Sequence, residues 1–335
     1  MTTPAARALF ADLFDYAGLF PPSKLPMDRA VADYAEYVTS AHAWMLSRFV
    51  VPVTRLGEFE EHAAERSPKP EDGRRANGLA VSEEDEELAD KESKVNPHRS
   101  RPKPWKLSAI INADKSLDKQ IEAIFDFNAA HESAPSRGLV EIDSIELKGA
   151  TPAAIDAAMD VIPEQLNPFF ELDHSGDIRG HVAALAGTGG AAKIRCGGVT
   201  ADAFPSAEEV AVFIAACAAA EVPFKFTAGL HHPIRAEQNL TYEANPPRGV
   251  MHGFINVFTA AALAFNKRLK PDELVKCVES TEPTEFRFEG DALNWGGHSL
   301  NAEQLERTRF TFAVSVGSCS FTEPVDDLKG LGLLE

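Results

Sequence analysis

Short apolar runs recur along the chain, and each leads into a stretch whose apolar residues follow helical spacing. That alternation restricts the fold to parallel strands joined by crossover helices. Arg48-Phe49-Val50-Val51-Pro52-Val53 reads as a strand, and a helical stretch starts at Leu56. Residues 107–111 form the next run, and the helix after it puts Leu117, Ile121, Ile124 and Phe125 on one face. Residues 140–147 alternate with period two. Thr151-Pro152 then supplies an N-cap with proline at the first helical position, and Ile155, Met159 and Ile162 make that helix's buried stripe. Runs at 169–173, 191–196 and 223–227 continue the series. Between the last two, Ser206 and Glu209 form a capping box that starts an alanine-rich helix. An apolar helix is expected over residues 253–266. Residues 286–288 and 310–316 supply later strands, unless the first of these turns back as a hairpin at Glu289-Gly290-Asp291.

About eight such units close on themselves, so the expected fold class is α/β, a (β/α)8 TIM-type barrel. The 335 residues suit one such domain, 1–335, with insertions. An open doubly wound sheet is the alternative, and the lack of a GxGxxG or P-loop motif at any strand end counts against it. One segment breaks the pattern. Residues 66–104 are rich in Pro, Lys, Arg, Glu and Asp, include Glu83-Glu84-Asp85-Glu86-Glu87, and hold few large apolar side chains. They read as a mobile acidic insertion, since little apolar surface offsets the entropy of ordering them.

With 51 acidic against 33 basic residues the formal net charge is −18. Such a surface repels phosphate backbones and anionic lipids, so neither nucleic acid nor membrane is an expected partner. A small-molecule substrate is expected, and a homo-oligomer is compatible. The four cysteines, Cys196, Cys217, Cys277 and Cys319, form no CxxC pair, which fits a reducing compartment rather than a zinc knuckle or disulfide framework. Asp12 and Asp15 interrupt the apolar N-terminal stretch, which does not read as a signal peptide, and no run approaches 18 uninterrupted apolar residues. The expected location is cytoplasmic.

In barrels of this type chemistry sits on the loops after the strands. Lys193 and Arg195 fall on one face of their strand, and Cys196-Gly197-Gly198 follows; Gly197 and Gly198 would let backbone N–H groups approach an anion. A cationic pair aimed at a barrel axis needs partners, either substrate or the carboxylates of Glu171 and Asp173 on the neighbouring strand. Lys225 repeats the pattern one strand later, in Phe224-Lys225-Phe226-Thr227-Ala228-Gly229. One lysine beside another has its pKa lowered and can attack a carbonyl as a Schiff-base nucleophile. This arrangement looks similar to the two lysine strands of deoxyribose-phosphate aldolase and other class I aldolases. The likeness is one of fold, and Arg195-Cys196 stands where those enzymes carry small hydroxyl residues.

Gly229-Leu230-His231-His232-Pro233 places two histidines on a turn, where they can move protons, polarise a carbonyl or bind a metal. His252 can join them, and Glu171, Asp173 and His174 supply further donors. A divalent cation therefore fits as an alternative cofactor, with no HExxH-type spacing to fix it. In Gly317-Ser318-Cys319-Ser320, Ser318 and Ser320 are candidate anion ligands, and Cys319 is either a nucleophile with a depressed pKa or a small core residue. The rigid Asp15-Tyr16-Ala17-Gly18-Leu19-Phe20-Pro21-Pro22 is expected to pack over one barrel end or form a subunit contact.

Together, FDYAGLFPP, AWMLSRFVVP, KIRCGGVTADAFPS, FKFTAGLHHP, MHGFINVF and GSCSFTEP resemble an uncharacterised bacterial β/α-barrel family, over nearly the whole chain except the acidic insertion. The resemblance implies a barrel and brings no activity, cofactor or catalytic residue with it. On the residues alone, the expected function is an aldol-type lyase or isomerase acting on a small anionic carbonyl metabolite. Lys193, Lys225, His231 and His232 would be catalytic; Glu171, Asp173, Arg195, Gly197, Gly198, His252, Ser318 and Ser320 would bind substrate. The alternatives are a metal-dependent barrel enzyme, or a non-catalytic barrel that binds a ligand or serves as a scaffold.

Overall fold

In the computed structural model, residues 2–69 and 103–335 are described. All but the edges of the expected 66–104 insertion lies outside the described residues. Eight parallel strands close into a barrel: β1 (Phe14–Tyr16), β2 (Leu46–Pro52), β3 (Trp105–Ile110), β4 (Val140–Lys148), β5 (Asn167–Leu172), β6 (Ala191–Arg195), β7 (Phe224–Thr227) and, after two insertions, β13 (Ala313–Ser318). Closure comes from β1 pairing with both β2 and β13, in parallel. The open doubly wound alternative is thereby excluded, because no strand edge remains.

Helix α1 (Pro4–Phe10) precedes β1, and one helix follows each of the next strands in turn: α2 (Met27–Tyr37), α3 (Leu56–Ala63), α4 (Leu117–Ser133), α5 (Pro152–Met159), α6 (Arg179–Leu185) and α7 (Ala207–Ala220). Thr151 caps α5 by accepting from Ala154 N–H, and Ser206 and Glu209 close their capping box on α7. The segment Ala201–Ala220 has a mean hydropathy of 1.4, as a membrane-crossing helix would. Only 14 of its residues are α-helix, beyond Pro205, and they span about 21 Å against a bilayer core of about 30 Å.

After β7 the chain departs from strict alternation. An antiparallel hairpin, β8 (Ala236–Asn239) and β9 (Arg248–Met251), precedes α8 (Phe254–Lys267) and α9 (Pro271–Glu279). A three-stranded antiparallel sheet follows: β10 (Arg287–Glu289), β11 (Ala292–Trp295) and β12 (His298–Asn301). The expected strand near Phe286 is therefore outside the barrel, on the hairpin that turns at Gly290-Asp291. Helix α10 (Ala302–Thr311) leads into β13, and α11 (Thr322–Gly330) closes the chain. Phe310 and Thr311 belong to that helix, so the last strand starts later than the apolar pattern implied. The first strand was hidden in a segment expected to lie over a barrel end, because three residues are too few to show periodicity.

Period two sorts the side chains of β6 and β7. Phe224 and Phe226 point outward, their ring centroids 5.1 and 6.1 Å from Phe213 of α7, while Lys225 between them faces the axis. Ile194 is buried in the outer core, and Lys193 and Arg195 on either side of it share the other face. In register, Glu171, Lys193 and Lys225 lie side by side across β5, β6 and β7. Replacing Ser206 with alanine removes one half of the capping box. We expect a loss of about 1 kcal/mol in urea unfolding, with no change in ligand binding at the barrel mouth.

Candidate active site at the C-terminal mouth of the barrel

Inside the barrel the axial charges form one chain of ion pairs. Glu146, on β4, accepts from Lys193 Nζ at 2.8 Å through Oε2 and from Lys225 Nζ at 2.8 Å through Oε1. Ser108 Oγ donates to the same Oε1 at 2.8 Å. Lys193 also meets Glu171 Oε2 at 2.8 Å. Lys225 also pairs with Asp15, which in turn accepts from Ser315 Oγ at 2.7 Å and from Arg48 N–H at 3.2 Å. Burial disfavours a charge on Glu146, but the two ammoniums outweigh it and hold the carboxyl well below its usual range. Burial works in the same way against Lys225, and Asp15 and Glu146 outweigh it, so the ammonium is held above the ordinary lysine value. A Schiff-base amine needs to shed its proton and to reach a carbonyl. Lys225 is 1% exposed and bound to two carboxylates, an arrangement that favours neither.

Above this network, at the C-terminal strand ends, lies a cavity of about 290 Å³. Glu146, Glu171, Lys193, Arg195, His231 and Cys319 line its polar side, and Phe20, Pro21, Val50, Ile110 and Ile111 its apolar side. Lys148 and Arg195 are exposed and make no ion pair among the described residues. A second cavity of about 150 Å³ shares Pro21, Arg195, Ala228 and His231 and extends to Gly198, His232, Tyr242 and Glu323.

The turn after β7 positions His231. Ala228 and Gly229 take the left-handed conformation, φ 59° and 69°. A Cβ on Gly229 would stand 2.5 Å from the Cys196 carbonyl oxygen, and one on Gly197 would stand 2.7 Å from Gly229 Cα. The two glycines let these loops touch. His231 Nδ1 lies 3.2 Å from Glu323 Oε2 on α11, and Cys319 Sγ lies 3.8 Å from Nε2. Burial disfavours a charged imidazole, yet Cys319 and Glu323 outweigh it and push His231 up to about 10. Burial would likewise raise the Cys319 thiol, and His231 more than offsets this, so the thiol sits below its ordinary value. Tyr242, from the loop between β8 and β9, brings its hydroxyl to 3.9 Å from Cys319 Sγ.

Other expected site residues serve the framework. Asp173 is exposed and accepts from Ser175 N–H at 3.0 Å and Ser175 Oγ at 2.8 Å, turning the loop instead of reaching Lys193. His252 is buried between the Pro205 carbonyl, 2.8 Å from Nε2, and Arg235, 3.1 Å from Nδ1, away from the other histidines' partners. His232 Nδ1 pairs with Asp327 at 2.6 Å, and its side chain borders only the smaller cavity. Ser318 Oγ donates to the Ser320 carbonyl at 2.6 Å. Ser320 Oγ accepts from Glu323 N–H at 3.2 Å, which sets the first turn of α11. Among the described residues no three His, Cys, Asp or Glu side chains converge as a metal site. The ligand pool of the metal-dependent alternative is dispersed.

Comparison with known proteins gives no match: no family model fits the chain, and no curated protein or solved structure matches it significantly.

Glu146→Gln removes the charge that joins the two lysines and should cost about 3–5 kcal/mol at pH 7, by urea unfolding. A depressed carboxyl pKa stabilises the fold above the unfolded value, about 4.3, and that contribution fades as pH falls toward the folded value. The gap between wild type and variant should therefore narrow between pH 7 and pH 3.

Proposed function

We propose that the chain is an enzyme acting on a small anionic carbonyl metabolite, an aldol-type lyase or an isomerase that works through an enolate. The observation that carries this reading is the meeting of Lys193, Arg195, Glu171 and His231 at one cavity. At about 290 Å³ it is at the small end of ligand pockets, which range over about 300–1,000 Å³. Arg195, with no carboxylate partner among the described residues, is the group to take the substrate's carboxylate or phosphate, and Lys148 lines the same cavity. Lys193, anchored by Glu146 and Glu171, presents a fixed ammonium to the carbonyl oxygen, where negative charge grows as the enolate forms. Glu171 keeps an open side toward the cavity and accepts the proton from carbon. His231, held protonated, returns a proton to oxygen or carbon. The apolar wall of Val50, Ile110 and Ile111 excludes water from the reacting carbon.

The enolate reading needs both lysines as ammoniums, whereas the imine reading of class I aldolases needs one of them neutral. Incubating the protein in D₂O with a panel of small 2-oxo acids and aldehyde acids should give exchange of the proton next to the carbonyl, followed by ¹H NMR. Lys193→Met should abolish it. Arg195→Gln should weaken binding about tenfold or more, as loss of a charge-assisted contact does. Absence of both binding and exchange with wild-type protein across the panel would overturn the proposal. A borohydride-trapped adduct on Lys193 or Lys225 would replace the enolate with an imine.

A further inference from the structure

Three of the four cysteines are embedded in apolar surroundings, and burial pushes the thiols of Cys196, Cys217 and Cys277 up. Cys319 is buried as well, but its surroundings differ. It lines the larger cavity, where the others do not. It directly follows β13, so its backbone is fixed by the barrel, and Ser23 Oγ donates to its carbonyl at 3.1 Å. Its sulfur sits 3.8 Å from Nε2 and 3.9 Å from Nδ1 of His231, and the same imidazole meets Glu323 at 3.2 Å and Ser318 Oγ at 3.5 Å. This order of acid, imidazole and nucleophile is the arrangement that activates thiols for attack.

The groups facing the sulfur come from four directions. His231 approaches from the turn after β7, Ser23 from the segment before α2, Tyr242 from the β8–β9 loop and Tyr16 from the end of β1, while Glu323 on α11 joins through His231 and Tyr242. Arg195 and Lys193 line the same cavity as the sulfur. An anionic electrophile drawn in by those cations would have its carbon within reach of Cys319.

We propose that Cys319 is a nucleophilic thiolate, paired with the His231 imidazolium, and a covalent site for small anionic aldehydes. The sulfur lone pair forms a C–S bond to the carbonyl carbon, the C=O π pair moves to oxygen, and the proton on His231 passes to that oxygen. The product is a thiohemiacetal, with no leaving group and no redox change. This site shares the anion-binding wall of the enolate reading but not its proton abstraction, so each can fail alone.

Alkylation needs no substrate and tests the thiolate directly. Its rate as a function of pH, followed by peptide mass spectrometry, should show Cys319 labelled first among the four cysteines. The inflection should lie below the ordinary thiol value of about 8.5. Iodoacetate should outpace iodoacetamide at Cys319, the reverse of the order expected from charge repulsion between a free thiolate and a carboxylate, and Arg195→Gln should remove that preference. His231→Gln should move the inflection up and slow labelling at pH 7 by about tenfold, since an unperturbed thiol is only a few per cent ionised there. Glu323→Gln should act in the same direction if the histidine variant does not fold. With ¹³C-labelled glyoxylate, a new sp³ carbon signal should appear that Cys319→Ser lacks. A wild-type inflection at or above 8.5, equal labelling of all four thiols, or a glyoxylate signal that survives Cys319→Ser would each overturn the proposal.

Discussion

The Glu146 carboxylate is the constraint on which the barrel interior depends. A barrel axis is normally filled with layers of branched apolar side chains, yet here two ammoniums and two carboxylates, Lys193, Lys225, Asp15 and Glu146, are buried at the axis. Each charge taken from water costs several kcal/mol after relaxation. The cost is tolerable only if every charge finds partners, and Glu146 alone joins the two lysines. Ser108, Ser315 and the Arg48 N–H supply donors to the two buried carboxylates, so with Glu171 the network draws on all eight strands rather than on one pair. Apolar residues of similar volume would do as well or better for stability. Retaining five charged groups in one network points to a use for the charges at the end of the chain of pairs, where Lys193 and Glu171 reach the cavity.

A division of labour follows. The lower part of the site is carried on strands, whose positions are fixed by ladder hydrogen bonds on both sides, and it is electrostatic: fixed ammoniums among fixed carboxylates. The upper part is carried on the turn after β7, the β8–β9 loop and the segment after β13, and it is where protons can move: His231, Tyr242, Cys319 and Glu323. The left-handed Ala228 shows how tightly that upper part is held. A non-glycine residue at φ 59° is unfavourable by itself. It is sustained by the Ala228 N–H donating to the Gly317 carbonyl at 3.2 Å and by the contact of Gly229 with Gly197.

Much of the fold was legible because periodicity and capping are local signals. Seven of the eight barrel strands follow from short apolar runs, the last of them starting later than its run implied, and the Thr151 and Ser206 caps behave as their spacing implied. What escaped was non-local. β1 is three residues long, and only pairing with β2 and β13 makes it a strand. The site was partly legible for the same reason. Lys193, Arg195 and His231 could be placed from strand alternation and from the turn after β7. Glu146 sits in a run that alternates visibly, but β4 shifts register between Ile142 and Ser144, so period two counted along the run does not place its carboxylate at the axis. Glu323 and Tyr242 carried no such clue, because their proximity to Cys319 depends on how α11 and the hairpin fold back. His252 and Asp173 were of the right chemical type at plausible places, and local hydrogen bonds claimed them instead.

The asymmetry of the cavity bears on how its parts cooperate. One wall is apolar, built from β2 and β3 with Phe20 and Pro21, and the other is charged, built from β4 to β6 with the loops beyond. A small anion entering such a space is oriented by that contrast, its charged group toward Arg195 and its carbon skeleton toward Ile110 and Ile111. The low polarity of one wall strengthens each interaction made with the other, since fewer waters screen it. It also strengthens the pairing of Cys319 with His231, which is worth more in a dry site than in water. The interaction that keeps lysine ammoniums charged inside the barrel and the one that favours a thiolate at its mouth are thus the same in kind: burial opposes the charge, and a close opposite charge overrules it.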